Sequence, residues 1–203
     1  MIIPVKEIFN RIKHNNGLLV VNEVTTGIGR TGQWFGFQHY DIQPDIVAMG
    51  KGLGNGYPVS SVAVKQEIVD KLENSGFIYA QSHQNDPLGC IIAKEVITTI
   101  HEEDLINRGQ AVGEYFLEKL KTLIKKHDIL KEVRGRGLLL ALEFHIHKHI
   151  TATLVYQQLL QNGFLVGCYQ AGNILRFGPA LTINHKDINQ LIESMNSILT
   201  IIG

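Results

Sequence analysis

The 203-residue chain is poor in cysteine, proline and tryptophan, with two, five and one of each. Cys90 and Cys168 lie far apart in sequence. They support neither a disulfide framework nor a zinc-ligand spacing. Charge of one sign is lacking too: 19 basic residues balance 19 acidic ones. No basic face interleaves with aromatics, so the composition points to no nucleic-acid partner and no membrane surface. No stretch is long and apolar enough to span a bilayer. The opening "MIIPVKEIF" has no basic region, apolar core and cleavage site of the signal-peptide kind. A cytoplasmic location is the expectation. There is no internal repeat and no low-complexity segment.

What is present suits a globular protein: 44% of residues are hydrophobic and 19% charged. A chain this long buries roughly two thirds of its surface on folding. Residues 4–16, "PVKEIFNRIKHNN", place Val5, Ile8, Phe9 and Ile12 on one helical face, with Pro4 at a first position and Gly17 as the stop. "LLVV" (18–21) is a continuous apolar run, which predicts a strand buried on both faces. "DIVAM" (45–49) and "SSVAV" (60–64) are two more, and a helix rich in isoleucine and valine begins near Pro87. This order suggests an α/β fold with a mainly parallel sheet. After about residue 100 the composition changes. "EYFLEKLKTLIKKH" (114–127) is an amphipathic helix, "GLLLALEF" (137–144) a strand, and "TATLVYQQLLQNG" (151–163) a helix closed by Gly163. "FLVGC" and "NILRF" read as short strands. A last helix starts near Asn184 and turns Ile188, Leu191, Ile192 and Met195 inward. We therefore place a boundary between residues 1–102 and a smaller α+β domain at 103–203.

The chemistry concentrates in "DIVAMGKGLGNGYPVS" (45–60), where Lys51 follows an apolar strand and stands among glycines. An exposed loop lysine is one reading. A phosphate-binding lysine is another, but a P-loop puts Ser or Thr after its lysine, and Gly52 stands there. A third uses amine chemistry. A lysine partly desolvated at a strand end can form a Schiff base with an aldehyde, and glycines let a flat cofactor approach the backbone.

The neighbours favour the third reading. Residues 18–64, "LLVVNEVTTGIGRTGQWFGFQHYDIQPDIVAMGKGLGNGYPVSSVAV", resemble the signature of the class III pyridoxal-phosphate aminotransferases, the ornithine, acetylornithine and 4-aminobutyrate type. The resemblance continues through "SHQNDPLGC" (82–90), "VRGRGLLLALEF" (133–144) and "LRFGPALTI" (175–183), and so covers almost the whole chain. It implies a fold-type I transferase, with 1–102 as part of the cofactor-binding large domain and 103–203 as the small domain. It implies pyridoxal 5'-phosphate as cofactor, an amino donor and a 2-oxo acid as substrates, and a dimer. Lys51 would carry the pyridoxal aldehyde and shuttle the proton. Val24 would pack on the ring, and Thr25 stands where the family has a glutamine near the ring's 3-oxygen. Ser82 would bind phosphate from the other subunit, with a helix cap before Pro87 as its alternative. Arg176 would grip the substrate carboxylate through its guanidinium fork, with a surface ion pair as its alternative. Arg30 and Trp34 organise the loop after the cofactor strand, and Glu23 makes a structural ion pair. The tract "HIHKH" (145–149) reads as a loop and not as a metal site.

Two departures stand out. Asn22 replaces the family's aspartate, whose carboxylate pairs with the protonated ring nitrogen. Glu23 cannot substitute, since neighbouring strand residues point to opposite faces. Family members also carry a long N-terminal portion with a phosphate loop and a stacking aromatic. The resemblance therefore implies a C-terminal half, a truncated or split enzyme that works with a complementary N-terminal half. A silent relative acting as a subunit or binding module, and a racemase or aminomutase of the same family, are the alternatives.

Overall fold

Residues 4–146, 150–169, 171 and 173–202 are described in the computed structural model. They divide into two units, Met1–Gly29 with Gln33–Asp104, and Arg30–Gly32 with Leu105–Gly203.

In the first unit, α1 (Val5–His14) leads into β1 (Val20–Asn22), β2 (Ile46–Met49), β3 (Ser61–Val64), α2 (Gln66–Asn74) and α3 (Pro87–Glu102). Asn16 takes a positive φ of 53°, and the Gly17 N–H donates to the Ile12 carbonyl at 2.9 Å, which turns the chain out of α1. The three strands order β1-β2-β3. β1 pairs parallel with β2, Val20 opposite Ile46. β3 returns antiparallel, Met49 opposite Ser61. The expected parallel character thus holds for one pairing of the two. The connection from β2 to β3 carries no α-helix, and a parallel crossover needs a dozen or more residues and usually a helix.

Burial on both faces of the first strand is not observed. Leu18 is 54% and Val20 59% exposed, and α1 buries no residue fully. A continuous apolar run reports that a strand is suited to cover on both sides. It does not supply the cover, and no described element of this unit lies over those side chains.

Asp45 pins the unit from within. It is 2% exposed and accepts from Lys13 Nζ at 2.6 Å, Lys65 Nζ at 2.9 Å and the Leu19 N–H at 2.8 Å. Burial pushes its carboxyl up. The two ammonium groups and the N–H outweigh that and hold it well below the usual carboxylate range. A depressed carboxyl stabilises the fold at pH above its unfolded value, about 3.9, and that contribution is lost as pH falls through the folded value. Thermal unfolding should therefore show an acid-labile first unit below about pH 4. Asp45→Asn should cost about 2 kcal/mol at pH 7, at the low end for a buried pair because both lysines reach water. The same substitution should flatten the acid limb. An unchanged acid limb would show that Asp45 is not its source.

In the second unit, α4 (Leu105–Ile124), α5 (Ala152–Gln161) and α6 (His185–Ile202) combine with a sheet in the order β4-β5-β7-β6. These strands are β4 (Leu130–Arg136), β5 (Leu139–Phe144), β6 (Gly167–Tyr169) and β7 (Ile174–Phe177), all antiparallel. Period-2 alternation on β5 sends Leu140, Leu142 and Phe144 inward. They meet Phe116, Leu120, Leu175, Phe177, Ile188 and Met195 in one core. Phe116 and Phe177 pack edge to face at 5.2 Å. Asn184 caps α6, accepting from the Asp187 N–H at 3.0 Å. Ile188, Leu191 and Met195 are buried there. Arg30 belongs to this unit. Its guanidinium donates to the Leu138 carbonyl at 3.4 Å and to the Pro179 carbonyl, and the Leu138 N–H returns a bond to the Arg30 carbonyl at 3.0 Å. No helix among the described residues is long and apolar enough to cross a membrane.

Candidate active site

β1 and β2 run parallel, so the residues after both strands emerge at one end of the pair. Open α/β sheets bind ligands outside the carboxyl ends of their strands. Asn22, Val24 and Thr25 leave β1 there, and Lys51 leaves β2. The Lys51 Nζ donates to Thr25 Oγ1 at 2.8 Å. Thr25 is therefore a partner of the lysine, a role its family position does not reveal.

Lys51 sits in a 3-10 turn, Lys51–Leu53, with a positive φ of 45°. That conformation is costly for a side chain with a Cβ, and such strain gathers at functional sites. The ammonium is exposed, not desolvated. Its neighbours Gly50 and Gly52 have room for a small side chain. A Cβ at Gly50 would lie 3.6 Å from Val24, and one at Gly52 3.5 Å from Ile28.

Asn22 is also exposed, and its Oδ1 accepts the Val24 N–H at 3.0 Å. The oxygen is thereby engaged, and the amide NH2 is the group left to face a ligand. Glu23, 3% exposed, is not ion-paired among the described residues. It accepts instead from Thr26 Oγ1 at 2.6 Å, the Gly36 N–H at 2.9 Å and the Phe37 N–H at 2.8 Å. The expected ion pair is replaced by this clasp, because the chain folds back and brings its own N–H groups to the carboxylate. Sequence gives no direct signal for it beyond an acidic residue ending a strand.

Ser82 lies exposed in the turn before α3, and no hydrogen bond links it to Lys51. It does not cap the helix. Asp86 does, accepting from the Gly89 N–H at 3.3 Å. Arg176, in the second unit, is exposed on β7 with its guanidinium 5.1 Å above the Tyr169 ring. No carboxylate among the described residues pairs with it. Of the histidine tract, His147, Lys148 and His149 lie outside the described residues.

A separate open trough of about 1070 Å³ runs between the segment after Leu53 and α3, past Trp34, Tyr57, Asp86 and Lys94. None of Asn22, Val24, Thr25, Lys51 and Ser82 lines it. The Lys51 amine, the Thr25 hydroxyl and the Asn22 amide stand at the carboxyl ends of β1 and β2, and none of them lines the trough.

A strand-end lysine of this kind, with the surrounding signature, marks one family. Residues 5–199 match Aminotransferase class-III, and the chain belongs to it. It is similar to the acetylornithine aminotransferase of Caldanaerobacter subterraneus, 32% identical over 196 residues, covering 97% of this chain and 48% of that protein. It is also similar to the leucine/methionine racemase of Thermococcus litoralis, 32% identical over 205 residues, covering 96% and 46%. Among solved structures, an S-selective transaminase from Arthrobacter with alanine bound superposes with a TM-score of 0.90 at 28% identity, covering 97% of this chain and 47% of that one. The chain thus spans about half the length of the relatives it matches.

Proposed function

We propose that this chain is the lysine-bearing portion of a pyridoxal-phosphate transaminase that moves an amino group between an amino donor and a 2-oxo acid. The observation that carries the reading is the exposed Lys51 amine, held by Thr25 at 2.8 Å beyond the carboxyl ends of two parallel strands. Residues 1–102 would be part of the large domain and 103–203 the small domain. The residues present fit the ring end of the cofactor: an amine for its aldehyde, an amide N–H for its ring nitrogen and the Val24 side chain for its face. Bound as a Schiff base, the cofactor would supply the electron sink that loosens bonds at the amino-bearing carbon.

Each residue then has a task. Thr25 Oγ1 orients the Lys51 Nζ. That Nζ would serve as the base that takes the proton from the amino-bearing carbon of the substrate. Asn22 contacts the ring nitrogen. Ser82 donates a hydroxyl hydrogen bond to phosphate from a second subunit of a dimer. Arg176 takes the substrate carboxylate. Arg176→Lys keeps the charge and loses the fork. It should raise the KM for a carboxylate substrate about tenfold to a hundredfold, the loss of one charge-assisted bond, with cofactor affinity within twofold. Equal losses for both would make Arg176 structural.

The exposed β1 side chains and the half-length match fit a site completed by an N-terminal half of the relatives' kind. The test is to purify the 203-residue chain alone and with such a half from a relative. Alone, turnover should be near background. Together, a yellow species should form and amino transfer to a 2-oxo acid should appear. Full turnover by the chain alone would show that no such half is needed. The similarity to a racemase favours one second reading, racemisation at the same lysine. Loss of optical activity without transfer to the oxo acid would select it.

A further inference from the structure

The solvent face of the second unit's sheet carries a row of four cross-strand partners: Arg134 on β4, Ala141 on β5, Arg176 on β7 and Gly167 on β6. The row holds two guanidinium groups in different situations. Arg134 is ion-paired with Glu132 and, at 2.6 Å, with Glu143, which also takes Lys131 at 2.6 Å. Both acids of that face are therefore occupied. Arg176 is flanked by the two smallest residues of the row and leans away from the acids, over Tyr169.

We propose that Gly167 and Tyr169 are positioning residues that hold the Arg176 guanidinium ready as a two-pronged carboxylate anchor. The inference rests on the reading of Arg176 as the substrate-carboxylate site. Gly167 leaves room for the arginine stem to cross β6. A Cβ there would stand 3.3 Å from both the Cβ and the carbonyl oxygen of Arg176, tighter than ordinary contact, and would touch its Nε at 3.5 Å. Tyr169 lies two residues on, on the same face, and diagonal to Arg176, within reach of a long side chain. The guanidinium lies over its ring, 5.1 Å from the ring centre and within cation–π reach. The N–H donors lie in the guanidinium plane and point outward from its edges. A ring engages none of those donors and the neighbouring acids are paired elsewhere, so a carboxylate can approach edge-on and accept two bonds. A guanidinium already ordered loses less freedom on binding.

The test uses the 203-residue chain itself. Phenylglyoxal condenses with accessible guanidinium groups, and peptide mass spectrometry gives the rate at each arginine. Glutarate serves as the carboxylate probe, against chloride at matched ionic strength. In Tyr169→Leu, Arg176 should react about two- to fivefold faster, and the glutarate concentration that half-protects it should rise by the same about two- to fivefold factor. Tyr169→Phe keeps the ring and should match the native chain. Arg134, held by acids, should not change in any variant. Tyr169 is half-exposed on an edge strand, and Tyr169→Val offers a strand-favouring second replacement with the same expected result. If glutarate protects Arg176 equally in native and ring-less chains, the carboxylate reading stands and the positioning role falls. If glutarate does not protect Arg176 in the native chain, the carboxylate reading falls and the anchor with it. Failure of Tyr169→Phe to match the native chain also overturns the proposal.

Discussion

Lys51→Ala should take covalent cofactor capture from one equivalent per site to background. In the assembled protein, borohydride should fix pyridoxal phosphate to the chain, and the label should map to Lys51. Its side-chain partner, Thr25 just beyond β1, is a hydroxyl and not an amine. Fold stability should barely move, since the side chain is exposed and makes one side-chain hydrogen bond. The backbone adds an independent check. With φ at 45°, any residue with a Cβ is strained there. Lys51→Gly should therefore be more stable than Lys51→Ala by about 1 kcal/mol, read from denaturant midpoints. Label that persists in the alanine chain would remove Lys51 from the mechanism. A glycine variant no more stable than the alanine one would show that the positive φ is not a source of strain.

Asn22→Asp should speed removal of the substrate α-proton in the assembled site by about one to two orders of magnitude, if the rate follows the ring-nitrogen pKa. A carboxylate about 4 Å from a ring nitrogen is worth up to about 4 kcal/mol at an effective dielectric near 20. That would raise the nitrogen's pKa by up to about 3 units, and solvent and hydrogen bonds reduce this to about one or two. The geometry sharpens the argument. The Asn22 oxygen already takes the Val24 N–H at 3.0 Å, so its NH2 is the group presented. A donor suits a ring nitrogen that lacks a proton. An aspartate would keep the Val24 bond through one oxygen and offer the other as an acceptor, which suits a protonated ring nitrogen. The opposing effect is the cost of burying a new carboxylate once the site is closed. Single-turnover rates of both forms, with saturating cofactor and the complementary half, decide the kinetic question. The ¹⁵N shift of labelled cofactor reports ring protonation independently of turnover. An unchanged or slower aspartate form would show that the site is adapted to a neutral partner.

Sequence was most informative where a local pattern has one physical solution. An apolar run bounded by turn residues predicted β2 and β3 to within a residue of the observed Ile46–Met49 and Ser61–Val64. Pro87 opens α3, and Asn184 caps α6, because an N1 proline and an asparagine cap act within one turn. The lysine loop and its family likeness were equally legible, since they depend on residues adjacent in the chain. Some elements escaped. α2 went unread although Ile68, Val69 and Leu72 fall at helical spacing, because it is nine residues long and follows β3 with only Lys65 between them. β4, "LKEVRGR", is mostly charged on its solvent face and resembles a loop until β5 pairs with it.

Tertiary structure alone decided what depends on distant partners. It placed Arg30–Gly32 with the second unit, where the Arg30 guanidinium meets carbonyls more than a hundred positions away. It made Glu23 a clasp for backbone N–H groups and not an ion pair, because Gly36 and Phe37 return to it through space. Among the described residues it left Leu18 and Val20 exposed, since hydrophobicity states a need for cover and does not supply it. It also set Arg176 over Tyr169 and away from Glu143. That outcome follows from the β6–β7 register, and register is fixed by the packing of whole strands, not by the residues of either strand read alone.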